Sequence, residues 1–190
     1  MPEQLMAPLP PIRRSVAVSW DRDTTFRRFT ADFADWWPRG THSIGGKRVK
    51  RIVFEGRVGG RIYEELDDGR RFQWGKLTAW EPVERVAFIW HPSLEERQAQ
   101  DVEIRFVPEG TRTRVELVSS GWERMGAKAR RQRKGYDIGW GSVLDVYASR
   151  WSAVVANFAV ISRVITFFLR VTGKPEASID KAGGLPANSG

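Results

Sequence analysis

Residues 121–140 read GWERMGAKARRQRKGYDIGW, a dense basic run bracketed by two Gly-Trp pairs. Two readings of it lead to different proteins. In one, cations and interleaved aromatics form a patch for a nucleic-acid backbone; in the other, the cations are the wet side of a helix whose aromatics face inward. The chain that follows bears on the choice. Tyr136, Trp140, Val143, Leu144 and Tyr147 recur at spacings of three and four, the pattern of an apolar helical stripe. At about 100° per residue, Arg131 and Lys134 fall opposite Tyr136 and Trp140, while Arg133 falls nearer the flank. The basic run is read as the entry turns and solvent face of a long C-terminal helix.

Upstream, the pattern tells what that helix covers. Between Val49 and Leu117 the segments KRIVFEG, GRIYEEL, RRFQWGKLTAW, RVAFIW, DVEIRFV and TRVELVS follow a period of two, as strands with one dry and one wet face do. Gly59-Gly60, Asp68-Gly69, Glu81-Pro82, His91-Pro92 and Glu109-Gly110 supply the breaks between them. A first strand is expected from Arg14 to Trp20. A short helix capped by Asp21 or Asp23 should follow, carrying Phe26, Phe29 and Phe33 and stopping at Trp36-Trp37-Pro38. The fold class is α+β: a helix-grip fold, with a curved antiparallel sheet of about seven strands wrapped around a long C-terminal helix.

A chain of 190 residues that is 41% apolar and holds nine tryptophans supports one sizeable core. The expected organisation is a flexible leader over 1–13, one domain over 14–150, an apolar helical extension over 151–172 and a disordered tail over 173–190. Without cysteine, disulfides, thiolate metal sites and cysteine nucleophiles are excluded. The formal charge of +8 speaks to encounter with acidic partners, not to fold. MPEQLMAPLPPIRR lacks the continuous apolar stretch of a signal peptide, so the cytoplasm is the expected compartment. The extension, WSAVVANFAVISRVITFFLRV, has the length of a membrane span. Arg163 at its centre would cost about 3 kcal/mol there. Membrane association is therefore the disfavoured alternative, and a protein partner or a homodimer packed on the extension would hide the same surface.

Several short motifs occur in a set order: Gly59-Gly60-Arg61-Ile62-Tyr63-Glu64, Trp74-Gly75-Lys76-Leu77, Glu81-Pro82, Arg85-Val86-Ala87-Phe88-Ile89-Trp90, Thr113-Arg114-Val115-Glu116-Leu117, Gly121-Trp122, and Gly139-Trp140 through Leu144. Over residues 14–150 this order resembles the START-like (SRPBCC) superfamily of polyketide cyclases, dehydrases and lipid-transport proteins. Within it, the sequence is most similar to proteins resembling the C-terminal domain of the activator of heat-shock protein 90 ATPase. The resemblance implies a cavity between sheet and helix that often accepts lipids or other hydrophobic molecules. The extension past Tyr147 has no counterpart in that pattern.

The ligand-cavity candidates follow from large side chains on the elements that would enclose such a space: Trp36, Trp37, Phe54, Glu64, Trp74, Phe88, Trp90, Tyr136, Trp140 and Leu144. Each also suits plain core packing. The face of Trp74 is open, because Phe72, Trp74 and Lys76 alternate with Gly75 and Leu77. Glu64 and Glu65 point to opposite faces of one strand, so one of them faces inward, where burial raises its pKa. The two histidines, His42 and His91, sit in loops without metal-ligand spacing. No metal, cofactor or catalytic residue is assigned, and enzymatic activity is not the expectation. A hydrophobic small molecule or lipid is the expected partner. A chaperone-regulating or stress-response interaction module and a cyclase-like enzyme using a cavity carboxylate are the alternatives. Nucleic acid, through Lys47, Arg48, Lys50 and Arg51 with Lys128, Arg130, Arg131, Arg133 and Lys134, is disfavoured because Trp122 and Trp140 already have structural roles.

Overall fold

The computed structural model describes residues 8–92 and 94–150. Residues 1–7 of the leader, the 151–172 extension and the 173–190 tail lie outside the described residues. Seven strands form one antiparallel sheet in the order β1-β7-β6-β5-β4-β3-β2. They are β1 (Ile12–Val18), β2 (Val49–Phe54), β3 (Arg61–Leu66), β4 (Arg71–Glu81), β5 (Arg85–Trp90), β6 (Gln100–Glu109) and β7 (Arg112–Ser120). Strands β2 to β7 are a meander joined by short turns, and β1 pairs with β7 at the far edge, Ile12 opposite Ser119 and Val18 opposite Thr113. Three short helices, α1 (Arg22–Thr30), α2 (Phe33–Trp36) and α3 (Arg39–His42), carry the chain from one edge of the curled sheet to the other. The long helix α4 (Ala129–Arg150) then lies in the concave side.

The local reasons are visible. Asp21 caps α1 by accepting a 2.7 Å bond from the Thr24 amide, which satisfies one of the free N–H groups of the first turn. The expected single helix is two: α1 stops at Thr30, and Phe33 continues the apolar spacing from α2. Strand β1 starts at Ile12, two residues earlier than expected. Gly121 adopts φ 80°, a left-handed turn that glycine enters without steric cost. It ends β7 and starts a 3₁₀ segment, Trp122–Lys128, before α4.

Helix α4 buries Gln132, Gly135, Tyr136, Gly139, Trp140, Val143, Leu144 and Tyr147, the stripe the spacing predicts. Lys128, Arg130, Arg131 and Lys134 are exposed on its other side. Arg133, on the flank, donates to the carbonyls of Pro10 at 2.6 Å and Pro11 at 3.2 Å, so part of the basic run straps the segment before β1 to the helix. An Arg14–Asp137 pair at 2.8 Å joins β1 to α4, and Tyr147 donates its hydroxyl to the Thr25 carbonyl of α1 at 2.9 Å. No described helix is long and apolar enough to cross a membrane.

Bulges explain where alternation fails. Ile62 pairs with Gly75 and Tyr63 with Gln73, so Trp74 is the extra residue of a bulge in β4. Trp74 is fully buried although Lys76 is exposed, which settles the face that the sequence leaves open. A Cβ on Gly75 would stand 2.2 Å from the Ile89 carbonyl oxygen across the strand pair. Gly75→Ala is expected to destabilise the domain by about 1–3 kcal/mol, the usual cost of overpacking, read as a lower denaturant midpoint at unchanged slope.

Candidate functional site

The concave side holds a continuous web of rings. Trp37 stacks on Phe33 with centroids 5.0 Å apart and meets Trp74 at 5.2 Å and Trp90 at 5.7 Å. Trp90 also meets Phe88 at 5.7 Å, Trp74 at 5.8 Å and, from helix α4, Trp140 at 5.5 Å. Phe54 joins the web through Phe33 at 5.2 Å and Phe88 at 6.3 Å. Seven of the ten candidate positions, Trp36, Trp37, Phe54, Trp74, Phe88, Trp90 and Trp140, are connected by these ring contacts. Trp36 is set back from the others, packed between Phe29 at 5.0 Å and Tyr147 at 4.9 Å. Tyr136 lies against Trp122 at 5.1 Å, nearer the start of α4, where burial raises its pKa above that of an ordinary phenol. Leu144 is buried in the same core.

Of the two adjacent glutamates, Glu64 takes the concave face and is fully buried. Its carboxylate accepts bonds from the backbone amides of Gly45 at 2.6 Å and Ile44 at 3.2 Å. Gly45 permits this approach: a Cβ there would meet Leu66 Cδ2 at 2.1 Å. Burial raises the pKa of Glu64, and the two amide donors oppose that shift without cancelling it. Glu65, on the convex face, bridges Arg51 and Arg71 at 2.8 Å each, and these partners lower its pKa. His42, the last residue of α3, is half-buried, and desolvation pushes its pKa down to about 4, so the ring is neutral near pH 7. Among the described residues, no three His, Asp or Glu side chains are grouped to hold a metal ion.

Beside the web lies an open recess of about 450 Å³ between α1, the end of β2 and the β4–β5 turn. Its walls are Phe26, Thr30 and Ala31 from α1, Phe54 and Gly56, and Trp80, Pro82 and Val83, with Asp23 and Arg27 also lining it. Phe26 meets Trp80 at 5.1 Å. Gly56 makes room for that indole, since a Cβ on it would stand 2.8 Å from the ring. Val83 has φ 60°, the left-handed region that a β-branched residue adopts only under strain. It follows Pro82 in a turn closed by Glu84 N–H to Glu81 O at 3.0 Å, a place that a type II turn normally gives to glycine. Arg22 braces this wall, donating to the Phe106 carbonyl at 2.7 Å and pairing with Glu84 at 3.4 Å.

Sequence reasoning named only Phe54 among the recess residues. Phe26 belongs to the apolar spacing of α1, and Trp80 lies just before the Glu81-Pro82 break. Val83 gives no sequence signal, because the residue type contradicts its backbone.

Glu64 yields a pH test. Its folded-state pKa lies above the unfolded value of about 4.5, so its stabilising contribution is full below that value and is lost as pH rises through the folded pKa. The unfolding free energy of wild type minus that of Glu64→Gln is therefore expected to fall as pH rises above about 4.5, measured by urea titration at each pH. A difference that rises with pH would reverse the sign assigned to burial.

Comparison with known proteins adds a sequence context to this geometry. The family model described as Activator of Hsp90 ATPase homolog 1-like protein matches residues 21–148. Txn09, an anthrahydroquino-γ-pyrone synthase solved as a complex, is 34% identical, with 79% of this chain and 99% of that one covered and a TM-score of 0.53. CalC, a self-sacrificing resistance protein from Micromonospora echinospora, is 27% identical over 74% of this chain and 93% of its own, at a TM-score of 0.56. The Aha1 dimer from Colwellia psychrerythraea shares the fold at 14% identity, with 76% of this chain and 98% of that one covered and a TM-score of 0.56. No protein of curated function matches the sequence.

Proposed function

The chain belongs to the Activator of Hsp90 ATPase homolog 1-like family, within the START-like superfamily, and from that premise we propose that it binds a hydrophobic small molecule in the recess walled by α1, the end of β2 and the β4–β5 turn, beside the aromatic web that fills the space between its sheet and α4. The observation that carries this reading is the open, aromatic-walled recess of about 450 Å³. A recess of this size falls in the range that small ligands occupy, and apolar walls with a few polar groups are the usual lining. Phe54 belongs both to the recess and to the web, so a ligand seated there touches the same ring system as Phe88, Trp90 and Trp140. The 34% identity to a synthase taken as a complex supports a ligand on this scaffold.

A second reading, catalysis in the same space, is favoured by that same identity to a synthase. Glu64 is the concave carboxylate available to it, with its proton held more tightly by burial. Fold alone does not choose between binding and turnover. The mass of the ligand after incubation does: a molecule recovered unchanged supports binding, and a changed mass supports turnover.

The binding reading predicts that native mass spectrometry of the purified protein retains a small apolar molecule. It also predicts that anthracene or palmitate quenches tryptophan fluorescence. Phe54→Arg places a charge in the recess and is expected to weaken binding more than tenfold, about 1.4 kcal/mol, with an unchanged circular-dichroism spectrum. Retention of no ligand, together with no quenching by either probe, removes the proposal; unaltered affinity in Phe54→Arg moves the ligand out of the recess.

A further inference from the structure

The open recess beside α1 has two ionic side chains in its lining, Asp23 and Arg27. Arg27 pairs with Asp32 at 3.1 Å. Asp23 is exposed, and its carboxylate has neither a hydrogen bond nor an ion pair among the described residues. The macrodipole of α1 favours an acid in this first turn. It does not account for the apolar walls left open beside that acid: Phe26, Ala31, Phe54, Trp80, Pro82 and Val83.

Helix α4 ends next to this recess. Its last residue, Arg150, comes one turn after Tyr147, whose hydroxyl bonds to the Thr25 carbonyl of α1 at 2.9 Å and whose ring meets Phe29 at 5.2 Å. Thr25 lies in the same turn of α1 as Asp23 and precedes Phe26, a wall of the recess. The family match stops at residue 148. Residues 151–169 then read WSAVVANFAVISRVITFFL, with Arg163 as their one charge. Val160, Arg163, Val164 and Phe167 follow the i, i+3, i+4, i+7 spacing of a single helical face.

An apolar stretch of this length needs a surface to cover it. A cation inside it has to keep its head in water or meet an acid once the stretch is buried. The recess supplies both requirements, apolar walls and an acid without a partner at the rim. The chain from Arg150 to Arg163 spans about 20 Å as helix and about 45 Å fully extended. Helix α1, with nine residues, is only about 13 Å long, so the length allows a reversal back to Asp23.

We propose that residues 152–169 dock on α1 of their own chain, with Val160, Val164 and Phe167 over the recess and Arg163 paired with Asp23. The protein thereby occupies its own ligand site. A ligand then binds with an apparent affinity reduced by the fraction of molecules whose recess is free. The docking stands apart from the ligand reading, whereas the competition rests on it.

Charge reversal in the full chain tests both parts. Hydrogen exchange is expected to show protected amides within residues 152–169 of the wild type. Arg163→Glu and Asp23→Lys are each expected to lower that protection about three- to tenfold, and the double variant Asp23→Lys/Arg163→Glu to restore it. Anthracene affinity is expected to rise about three- to tenfold in each single variant and to return within about twofold of wild type in the double variant. Arg163→Glu alters no described residue, so it decides the outcome if Asp23→Lys, which sets a cation against the α1 dipole, fails to fold. Unprotected amides in the wild type, or protection unchanged by reversal, overturn the docking. Protection lost on dilution assigns the segment to a second copy, and protection seen only with phosphatidylserine vesicles assigns it to an anionic membrane; either result also overturns it. Anthracene bound with an affinity indifferent to the reversals overturns the competition. The full reversal pattern in exchange, with no anthracene bound by any variant, sustains the docking and removes the ligand reading.

Discussion

The structure depends on covering the concave face of the sheet. Six of the seven strands are contiguous in sequence and pair with their chain neighbours, so the sheet forms from local hairpins, but one face of it is a field of Val, Ile, Leu, Phe and Trp that water would penalise at roughly 25 cal/mol per Å². Among the described helices, only α4 is long enough to lie along that face. Gly135 and Gly139 are buried on the same side as Tyr136, Trp140, Val143, Leu144 and Tyr147, which fill the space there. The ties at its margins, Arg14 to Asp137, Arg133 to the Pro10 and Pro11 carbonyls, and Tyr147 to Thr25, fix its register against β1 and α1. Without them the apolar stripe would be satisfied by more than one sliding position, since burial alone has no direction.

Charge follows from the same division into two faces. The convex side pairs many of its cations with carboxylates: Arg85 sits between Glu81 and Glu103, Glu65 between Arg51 and Arg71, and Arg114 between Glu109 and Glu116. Arg48 is held by Asp67 and Asp68. These pairs are locally neutral, so they do not account for the formal charge of +8, and such exposed pairs add little stability. Of the basic residues that invite a nucleic-acid reading, Arg48 and Arg51 already have carboxylate partners and Arg133 holds the chain before β1.

Strand order and the α4 stripe were legible in the sequence because both depend on periodicity, which side-chain direction enforces along an entire element. The parity of Glu64 and Glu65 was legible for the same reason. The bulge that turns Trp74 inward was not, since inserting one residue reverses parity locally and leaves no compositional trace apart from Gly75. The partners of Glu64 were also hidden: its bonds come from the amides of Ile44 and Gly45, and backbone donors carry no residue signature. The recess was hidden most deeply. Its walls come from α1, β2 and the β4–β5 turn, and no local pattern records how a helix lies across a turn distant in the chain.

The places where local rules are broken share one side of the molecule. Val83 holds a left-handed backbone at the recess wall, at a cost of about 1–3 kcal/mol. Glu64 is buried on the concave face with a raised pKa, and the indole N–H groups of Trp74 and Trp140, beside Trp90, have no acceptor among the described residues. Sequences that satisfy packing, pairing and turn chemistry elsewhere tend to violate them where another demand competes.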